Sequence, residues 1–260
     1  MSMNSAGGLR YFTFHNFDIP GLVHGIFSRH GGVSSAPWET LNVGGTVGDE
    51  QARVEENLYR TLHAVGFSPE SVFDVHQVHG RRVVEAFHGR GKQAPLPADA
   101  IVTRTRGVVL LMRFADCVPI LLLDPVNEAI GIAHAGWQGT VKNVAGSVVN
   151  KMQELYNTDP AEVLAGIGPS ICQDHYPVGP EVIEAARRCF GDTSGDHLAY
   201  RDGQTHFNLW SANRAHLESE GVRSIETAGI CTACHYEDWY SHRASGGRTG
   251  RFAALIGWAL

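Results

Sequence analysis

The chain has 260 residues, of which 43% are hydrophobic and 18% charged, with a formal net charge of −6. This charged fraction is below the roughly 25% of an average globular protein, which argues against a disordered chain. An acidic balance provides no basic face for a phosphate backbone, so we expect no nucleic-acid partner. Without a signal-peptide pattern or an apolar run of about 18 residues, we expect no membrane partner and a cytoplasmic location.

Apolar runs of buried-strand length dominate the first half of the chain. They predict strands at residues 73–85, with a break at Gly80, and at 108–114, 120–123 and 129–133. Strands return at 163–167, 224–230 and 252–258. A chain of this length can bury one large core, so we interpret residues 1–260 as a single domain.

Helical periodicity dominates the chain after these first strands. Apolar residues at 3.6 spacing predict a helix over 140–156, directly after the segment AHAGWQG. Two further helices are predicted at 180–190, which opens with a proline, and at 209–218. The pattern predicts a mixed α/β protein with helices packed on a substantial sheet.

Two strand ends carry residues that a core strand does not need. Cys117 stands in ADCVPILLL at a break between two strands, and His134 stands where AHAGWQG leaves a third strand. In HQVHG, His76 and His79 would face opposite sides of a strand, and Gly80 favours His79 as the residue that joins the cluster. One thiolate and two imidazoles suit catalytic zinc, which keeps a fourth position open.

Other interpretations of these residues remain open. A cysteine between apolar strands also serves as a small buried hydrophobe, and 14 histidines place some near a cysteine by chance. Asp116, beside Cys117, would orient an imidazole or act as an acid, and orientation is the first choice. A cysteine hydrolase without zinc, with Cys117 as nucleophile and His134 as base, would use the same residues.

The glycine-rich turn after His134 opens the predicted helix. Gly136, Gly139 and Thr140 would offer free backbone amides, which suit phosphate or another anion. A tight turn that needs glycine for backbone reasons explains the same residues. The segments 27–44 and 239–251 place arginine among glycine and serine, which suits oxyanion binding, although solvated loops and structural ion pairs have the same composition.

The five cysteines are an odd number, which predicts reduced thiols rather than a disulfide framework. Residues 231–235 read CTACH, the pattern of covalent haem attachment, but that chemistry takes place outside the cytoplasm. A second C-x-x-C to complete a structural zinc site is missing from the sequence. Cys172 and Cys189 lie far apart, and Cys189 falls on the apolar face of a predicted helix.

The ordered series SRHGGVS, LNVGGTVGD, QVHG, ADCVPILL, HAGWQG and SHRASGGRTGR resembles the YfiH/DUF152 family, also labelled laccase-domain or multicopper polyphenol oxidase. The resemblance implies cysteine-hydrolase-like α/β layers, with mixed β-sheets flanked by helices. It implies one zinc ion, Zn²⁺, on His79, Cys117 and His134. It also carries Arg29 over as a contact to phosphate or substrate.

The implied activity is phosphorolysis of purine nucleosides, namely adenosine, inosine, guanosine and S-methyl-5'-thioadenosine, together with deamination of adenosine. Phosphate is the second substrate, and zinc would polarise a water, phosphate or ribose oxygen. This sequence departs from the family at Gln138, where arginine is common, and at Ala244, where a second arginine often follows Arg243. Both departures remove a cation near the expected anion site.

Two further functions stay open. Copper-dependent oxidation of phenols would require around ten histidines in H-x-H pairs, and this sequence has no such pair. The family also suggests a role in editing misbuilt peptidoglycan precursors. The preferred nucleoside and the oligomeric state do not follow from the sequence.

Overall fold

The computed structural model describes residues 2–260. Its strands are β1 (Ser2–Ala6), β2 (Leu9–Thr13), β3 (Leu22–Phe27), β4 (Val72–Phe73), β5 (Val83–Glu85), β6 (Ala100–Thr103), β7 (Val109–Phe114), β8 (Val118–Asp124), β9 (Ala129–Ala135), β10 (Leu164–Ile167), β11 (Pro177–Val178), β12 (Leu198–Arg201), β13 (Gln204–Phe207), β14 (Ser224–Thr227) and β15 (Phe252–Trp258). Its helices are α1 (Gln51–His63), α2 (Trp137–Val141), α3 (Val144–Tyr156), α4 (Pro180–Phe190) and α5 (Leu209–Ser219).

Two six-stranded mixed sheets form the centre of the fold. The first has the order β1-β2-β3-β15-β7-β4, and the second has the order β14-β10-β8-β9-β6-β5. Pairing is antiparallel except at β4–β7, β10–β14 and β5–β6. A small antiparallel sheet, β11-β13-β12, adds to these. The mixed α/β class predicted from the sequence is confirmed.

Strand β7 shows how the layers are built. Leu110 and Met112 belong to the core between the two large sheets, whereas Val109 and Leu111 belong to a core that also contains Leu62 of α1. Successive side chains of a strand point to opposite faces, and both faces of β7 are buried. An apolar run without polar alternation is the expected sequence of such a strand.

Strand β8 repeats this arrangement in the second sheet. Leu121 and Leu123 face the core shared with the first sheet, and Ile120 and Leu122 face a core that includes Val148 of α3. The layers therefore run from α1 through the two sheets to α3 and α5. Within residues 2–260, no helix is long and apolar enough to cross a membrane.

Most predicted elements are present with ends shifted by a few residues, but the strand predicted over 73–85 is wrong. Residues 72–73 and 83–85 are short strands of different sheets, and the loop between them carries the HQVHG segment. His79 has a φ of 57°, in the left-handed region that cannot continue a strand. The strands β1–β3, β6 and β11–β13 and the helix α1 were not predicted.

The single helix predicted over 140–156 is also wrong, because the structure divides it into α2 and α3. Asn143 between them adopts the left-handed conformation, with a φ of 56°, which asparagine tolerates better than most residues. Its side chain accepts a hydrogen bond from the Gly146 amide at 2.8 Å and so caps α3. The chain therefore starts a new helix where periodicity alone indicates continuity.

Candidate active site

The structure brings the three predicted metal ligands together. The donor atoms of His79, Cys117 and His134 all lie within 4.8 Å of one another. Antiparallel β8 and β9 pair with Val118 opposite Ala135, so the residue before β8 meets the end of β9. His79 approaches from the loop between β4 and β5. We call these three residues the first cluster.

A buried carboxylate that was not predicted from the sequence holds this cluster. Asp99 Oδ1 accepts from His134 Nδ1 and from the His79 amide, both at 2.9 Å. Asp99 Oδ2 accepts from the amides of Gly80, at 2.6 Å, and Val78, at 3.1 Å. Burial disfavours the charged carboxylate, but these donors hold the pKa of Asp99 below its usual range. The bond to Nδ1 leaves Nε2 of His134 as the donor atom for a metal.

Cys117 and His134 shift each other's pKa toward the charged forms. Burial disfavours the Cys117 thiolate, but the adjacent His134 and His79 lower the pKa of Cys117 to about 6. Burial also disfavours a charged His134 ring, but the Cys117 thiolate and Asp99 raise the pKa of His134 to about 9. The thiolate, which is the form that binds a metal, is therefore available at neutral pH.

The glycine turn after His134 is shaped by close contacts. A Cβ at Gly136 would lie 2.9 Å from Cys117 Sγ, and one at Gly139 would lie 3.0 Å from the His134 carbonyl oxygen. The Thr140 amide donates to the Gly136 carbonyl, and Thr140 Oγ1 accepts from Asn213. Thr140 thus has no amide free for phosphate, contrary to the prediction. For Gly139, phosphate binding stays a prediction.

The first cluster opens into two cavities. A cleft of about 870 Å³ contains all three ligands, and a pocket of about 180 Å³ shares His79, Asp116, Cys117 and Tyr176 with it. The cleft has the size of a small-molecule site. Its basic lining residues beyond the ligands are His76, Arg90, Arg113, His242, Arg243 and Arg251.

These arginines differ in their partners. Arg113 forms an ion pair with buried Asp74 at 2.8 Å, and Arg90 also pairs with Asp74. Within residues 2–260, neither Arg243 nor Arg251 pairs with a carboxylate side chain. Arg243 donates to the Pro177 carbonyl at 3.0 Å, and Arg251 donates to backbone carbonyls of its own segment. Arg243 and Arg251 are therefore the cations available to an anion in the cleft.

Asp116 does not have the orienting contact that was predicted for it. Its Oδ1 accepts from Thr232 Oγ1 at 2.7 Å, and its Oδ2 accepts from the Arg243 amide at 2.6 Å. Asp99 rather than Asp116 orients the imidazole of His134. A role for Asp116 as an acid stays a prediction.

Arg29 lies outside the lining of the cleft and is bound to the fold. Its Nε donates to the Glu39 carbonyl at 2.8 Å, and one terminal nitrogen donates to the Tyr236 carbonyl at 3.0 Å. The guanidinium also lies over the rings of Tyr236 and Tyr240, 5.1 Å and 4.8 Å from their centroids. These contacts engage the guanidinium of Arg29 within the fold, and a phosphate contact for Arg29 stays a prediction.

A cation stands beside Gln138 in spite of its departure from the family pattern. Lys142 Nζ donates to Gln138 Oε1 at 3.1 Å and to the His79 carbonyl at 2.9 Å. The positive charge is thus displaced by one helical turn. It still lies against the backbone of His79, in the first cluster.

A second group of cysteine and histidine residues could also bind a metal, and we call it the second cluster. The donor atoms of Cys172, His175, Cys231 and Cys234 lie within 4.8 Å of one another. The sequence offers no second C-x-x-C, which predicts that CTACH has no complement. The structure places the C-x-x-H segment that joins Cys172 to His175 beside CTACH, a proximity that the sequence did not suggest.

A mixed α/β fold with a histidine–cysteine cluster in a basic cleft defines the class of protein. The family described as multi-copper polyphenol oxidoreductase laccase matches residues 23–259, and the chain belongs to this family. It is 40% identical over 255 residues to a purine nucleoside phosphorylase of Deinococcus radiodurans, covering 97% of this chain and 94% of that protein.

Solved structures show the same fold. The crystal structure of YlmD from Geobacillus stearothermophilus superposes with a TM-score of 0.92 at 32% identity, covering 99% of this chain and 98% of that one. The structure of YfiH from Bacillus licheniformis gives a TM-score of 0.91 at 28% identity, covering 98% of both chains. The layered α/β fold expected from the resemblance is confirmed.

Proposed function

We propose that the protein is a zinc-dependent purine nucleoside phosphorylase. The observation that carries this proposal is the position of the first cluster, which opens into a cleft where the guanidinium groups of Arg243 and Arg251 donate to backbone carbonyls and form no ion pair with a carboxylate within residues 2–260. A ligand set beside free cations suits a reaction between phosphate and a small molecule. The similarity to proteins named purine nucleoside phosphorylase supports the nucleoside as the other substrate.

The donor set favours zinc over copper. One thiolate with two imidazoles gives three protein ligands and an open position, the composition of catalytic zinc sites. A multicopper oxidase needs several copper sites rich in histidine, and the second cluster contains one histidine and three cysteines. When bound, zinc supplies a Lewis acid that polarises an oxygen of phosphate, water or ribose.

The side chains of the cleft have separate tasks in this proposal. Arg243 and Arg251 bind the phosphate dianion and orient it. Tyr176 lines both cavities and offers its ring to the flat purine. Burial and the nearby Cys117 raise the pKa of Tyr176, so its hydroxyl stays protonated and would be available as a hydrogen-bond donor to substrate. Asp99 holds the ring of His134 in one orientation during the proposed reaction.

Deamination of adenosine is a second candidate at the same site. The pocket of about 180 Å³ beside His79 and Cys117 has room for water, which occupies about 30 Å³ in the liquid. Water would replace phosphate as the attacking group. The water would attack C6 of adenine, the amino group would leave as ammonia, and inosine would form.

A metal-free cysteine hydrolase would use the same Cys117–His134 pair, and Asp99 would complete it. What favours a metal site is His79, whose ring faces the same sulfur and which a cysteine hydrolase does not require. Alkylation of Cys117 distinguishes the metal site from the cysteine hydrolase. A metal at Cys117 protects the thiol from iodoacetamide until a chelator removes it, whereas a catalytic thiolate reacts with or without the chelator.

The test is chromatography of zinc-loaded protein incubated with adenosine, with and without phosphate, beside Cys117→Ala and a Cys189→Ser control. Adenine and ribose 1-phosphate that form only with phosphate support phosphorolysis. Inosine without phosphate supports deamination. We expect Cys117→Ala to lose one metal ion and about a thousandfold in turnover, since it removes a metal ligand.

Two results would contradict the proposal. One is full turnover and full metal content in Cys117→Ala. The other is the absence of product in both tubes with zinc bound, which would make peptidoglycan precursors the next substrates to test.

A further inference from the structure

We propose that the second cluster is a closed structural zinc site that ties together two loops behind the active site. It would be formed by Cys172, His175, Cys231 and Cys234. This inference does not depend on the proposed reaction, since it concerns different residues and a different role for the metal.

The distances around His175 fit a single ion. His175 Nδ1 lies 3.4 Å from Cys172 Sγ, 3.3 Å from Cys234 Sγ and 3.9 Å from Cys231 Sγ. Tetrahedral zinc would place a nitrogen and a sulfur ligand roughly 3.6 Å apart, given the usual bond lengths. One ring nitrogen has a single proton or a single lone pair, so hydrogen bonding accounts for one of these three contacts. One metal ion accounts for all of them.

Backbone amides contact the sulfur of Cys231. The amides of Cys172 and Cys234 donate to Cys231 Sγ at 3.2 Å and 3.4 Å. Amide donors stabilise a negatively charged sulfur, which is the form that ligates zinc. The ligands come as two pairs with two residues between the members, C-x-x-H and C-x-x-C, the short spacing found in structural zinc sites.

The surroundings of the cluster exclude a place for substrate. Four protein donors complete a tetrahedral shell, whereas a catalytic site keeps one position open. None of the four residues lines the cleft or the adjacent pocket. Cys231 is buried, while His175 and Cys234 are exposed, so the ion would lie just below the surface.

The cluster lies where two loops meet behind the first cluster. Ser170 and Cys231 form a bridge between the loops, and the Thr232 amide donates to the Ser170 carbonyl at 3.1 Å. Thr232 also donates through its hydroxyl to buried Asp116 at 2.7 Å, next to Cys117. The loop that holds Cys172 and His175 continues into Tyr176, which lines the cleft. A metal at the second cluster would therefore hold one wall of the cleft in place.

The test is the zinc content per chain of the full protein, purified with a non-thiol reductant and measured by plasma mass spectrometry. We expect two zinc ions in the wild type and in Cys189→Ser, one in Cys117→Ala, one in Cys234→Ser and none in the double variant. Cys234 is exposed, so serine there should preserve the fold, which circular dichroism checks. His175→Asn provides a second variant with the same expected loss.

Cobalt substitution adds a readout independent of activity. Three thiolates on one ion should give Cys117→Ala a strong sulfur-to-cobalt charge-transfer absorption, and Cys234→Ser should lack most of it. One zinc ion in the wild type that disappears in Cys117→Ala would overturn the proposal. So would a disulfide between cluster cysteines in protein isolated with its full zinc content.

Discussion

The two clusters use the same residue types but differ in their surroundings. The first has three ligands, faces a cleft of about 870 Å³ and is held by the buried carboxylate of Asp99. The second has four potential ligands, faces neither cavity and has a sulfur held by backbone amides. Ligand identity therefore does not separate a reactive site from a structural one. The two kinds of site would differ instead in the number of donor residues and in whether a cavity adjoins the cluster.

Apart from changes to the cluster residues themselves, the largest effect is expected from the carboxylate that only the first cluster has. Asp99→Asn weakens the charged acceptor of His134 and of three loop amides, so zinc affinity and turnover should fall about 10–100-fold. The second cluster should keep its metal. Asp124→Asn is the matched control, because Asp124 is equally buried but binds Val126 and Asn127. Unchanged affinity in Asp99→Asn would remove this distinction between the clusters. Zinc content at buffered free zinc is the measurement.

A steric change should also act on the first cluster alone. Gly136 has an ordinary φ of −70°, so alanine fits the backbone, but its Cβ would lie 2.9 Å from Cys117 Sγ. We expect Gly136→Ala to weaken metal binding by about 1–3 kcal/mol, the usual effect of overpacking. A Cβ at Gly195 meets open space, so Gly195→Ala is the control. Equal metal affinities in a competition titration would show that the contact relaxes freely.

The cleft beside the first cluster can be tested through Arg243, one of its two arginines without a carboxylate ion pair. Arg243→Gln should raise the KM for phosphate roughly tenfold, because one charge-assisted hydrogen bond is worth about 1.5 kcal/mol. Arg248→Gln, five residues further on, removes an exposed arginine that does not line the cleft. Initial rates at saturating nucleoside provide the measurement. A similar KM in both variants would place phosphate elsewhere.

The smallest effect concerns a buried histidine outside both clusters. His24 accepts from the Phe14 amide at 2.9 Å, and burial lowers its pKa to about 4 from 6.5. At acidic pH the unfolded chain therefore binds a proton at His24 that the folded chain does not bind. The contribution of His24 to the free energy of unfolding is present above pH 6.5 and is lost as the pH falls. Between pH 7 and 5.5 the loss should be about 1 kcal/mol.

Urea denaturation of the wild type and of His24→Gln across this pH range measures the effect. Glutamine can accept from the Phe14 amide but does not titrate. The variant should therefore show the shallower dependence of its unfolding free energy on pH. Parallel curves would show that His24 is protonated equally in both states. His134 differs from His24 because its thiolate and carboxylate neighbours raise its pKa instead.

The sequence singles out Cys117 and His134 because each stands beside an apolar run of strand length, and it favours His79 because Gly80 follows it. Asp99 could not be predicted in the same way. It precedes the strand β6 and resembles a loop residue until Ala100 pairs with Ala133 and brings it to the ring of His134. That register depends on tertiary structure, because it is set by which strands become neighbours in the sheet.

The second cluster shows the same limit over a longer distance. C-x-x-H at 172–175 is too short a pattern to indicate a metal on its own. It gains meaning only through the bridge between Ser170 and Cys231. The sheet order has the same origin, because β15 at the end of the chain inserts between β3 and β7. Local periodicity predicts a strand but not its neighbours.

The left-handed conformation of Asn143 also affects the electrostatic potential in the cleft, because it breaks the helix that would follow His134. A continuous helix over 140–156 would align many peptide dipoles on the turn after His134. Instead the positive end of α3 starts at Asn143, whose Nδ2 donates to Glu220 at 3.1 Å, and α2 has only five residues. The proposed attraction for phosphate would therefore depend mainly on arginine side chains. Single substitutions can change it without altering the fold.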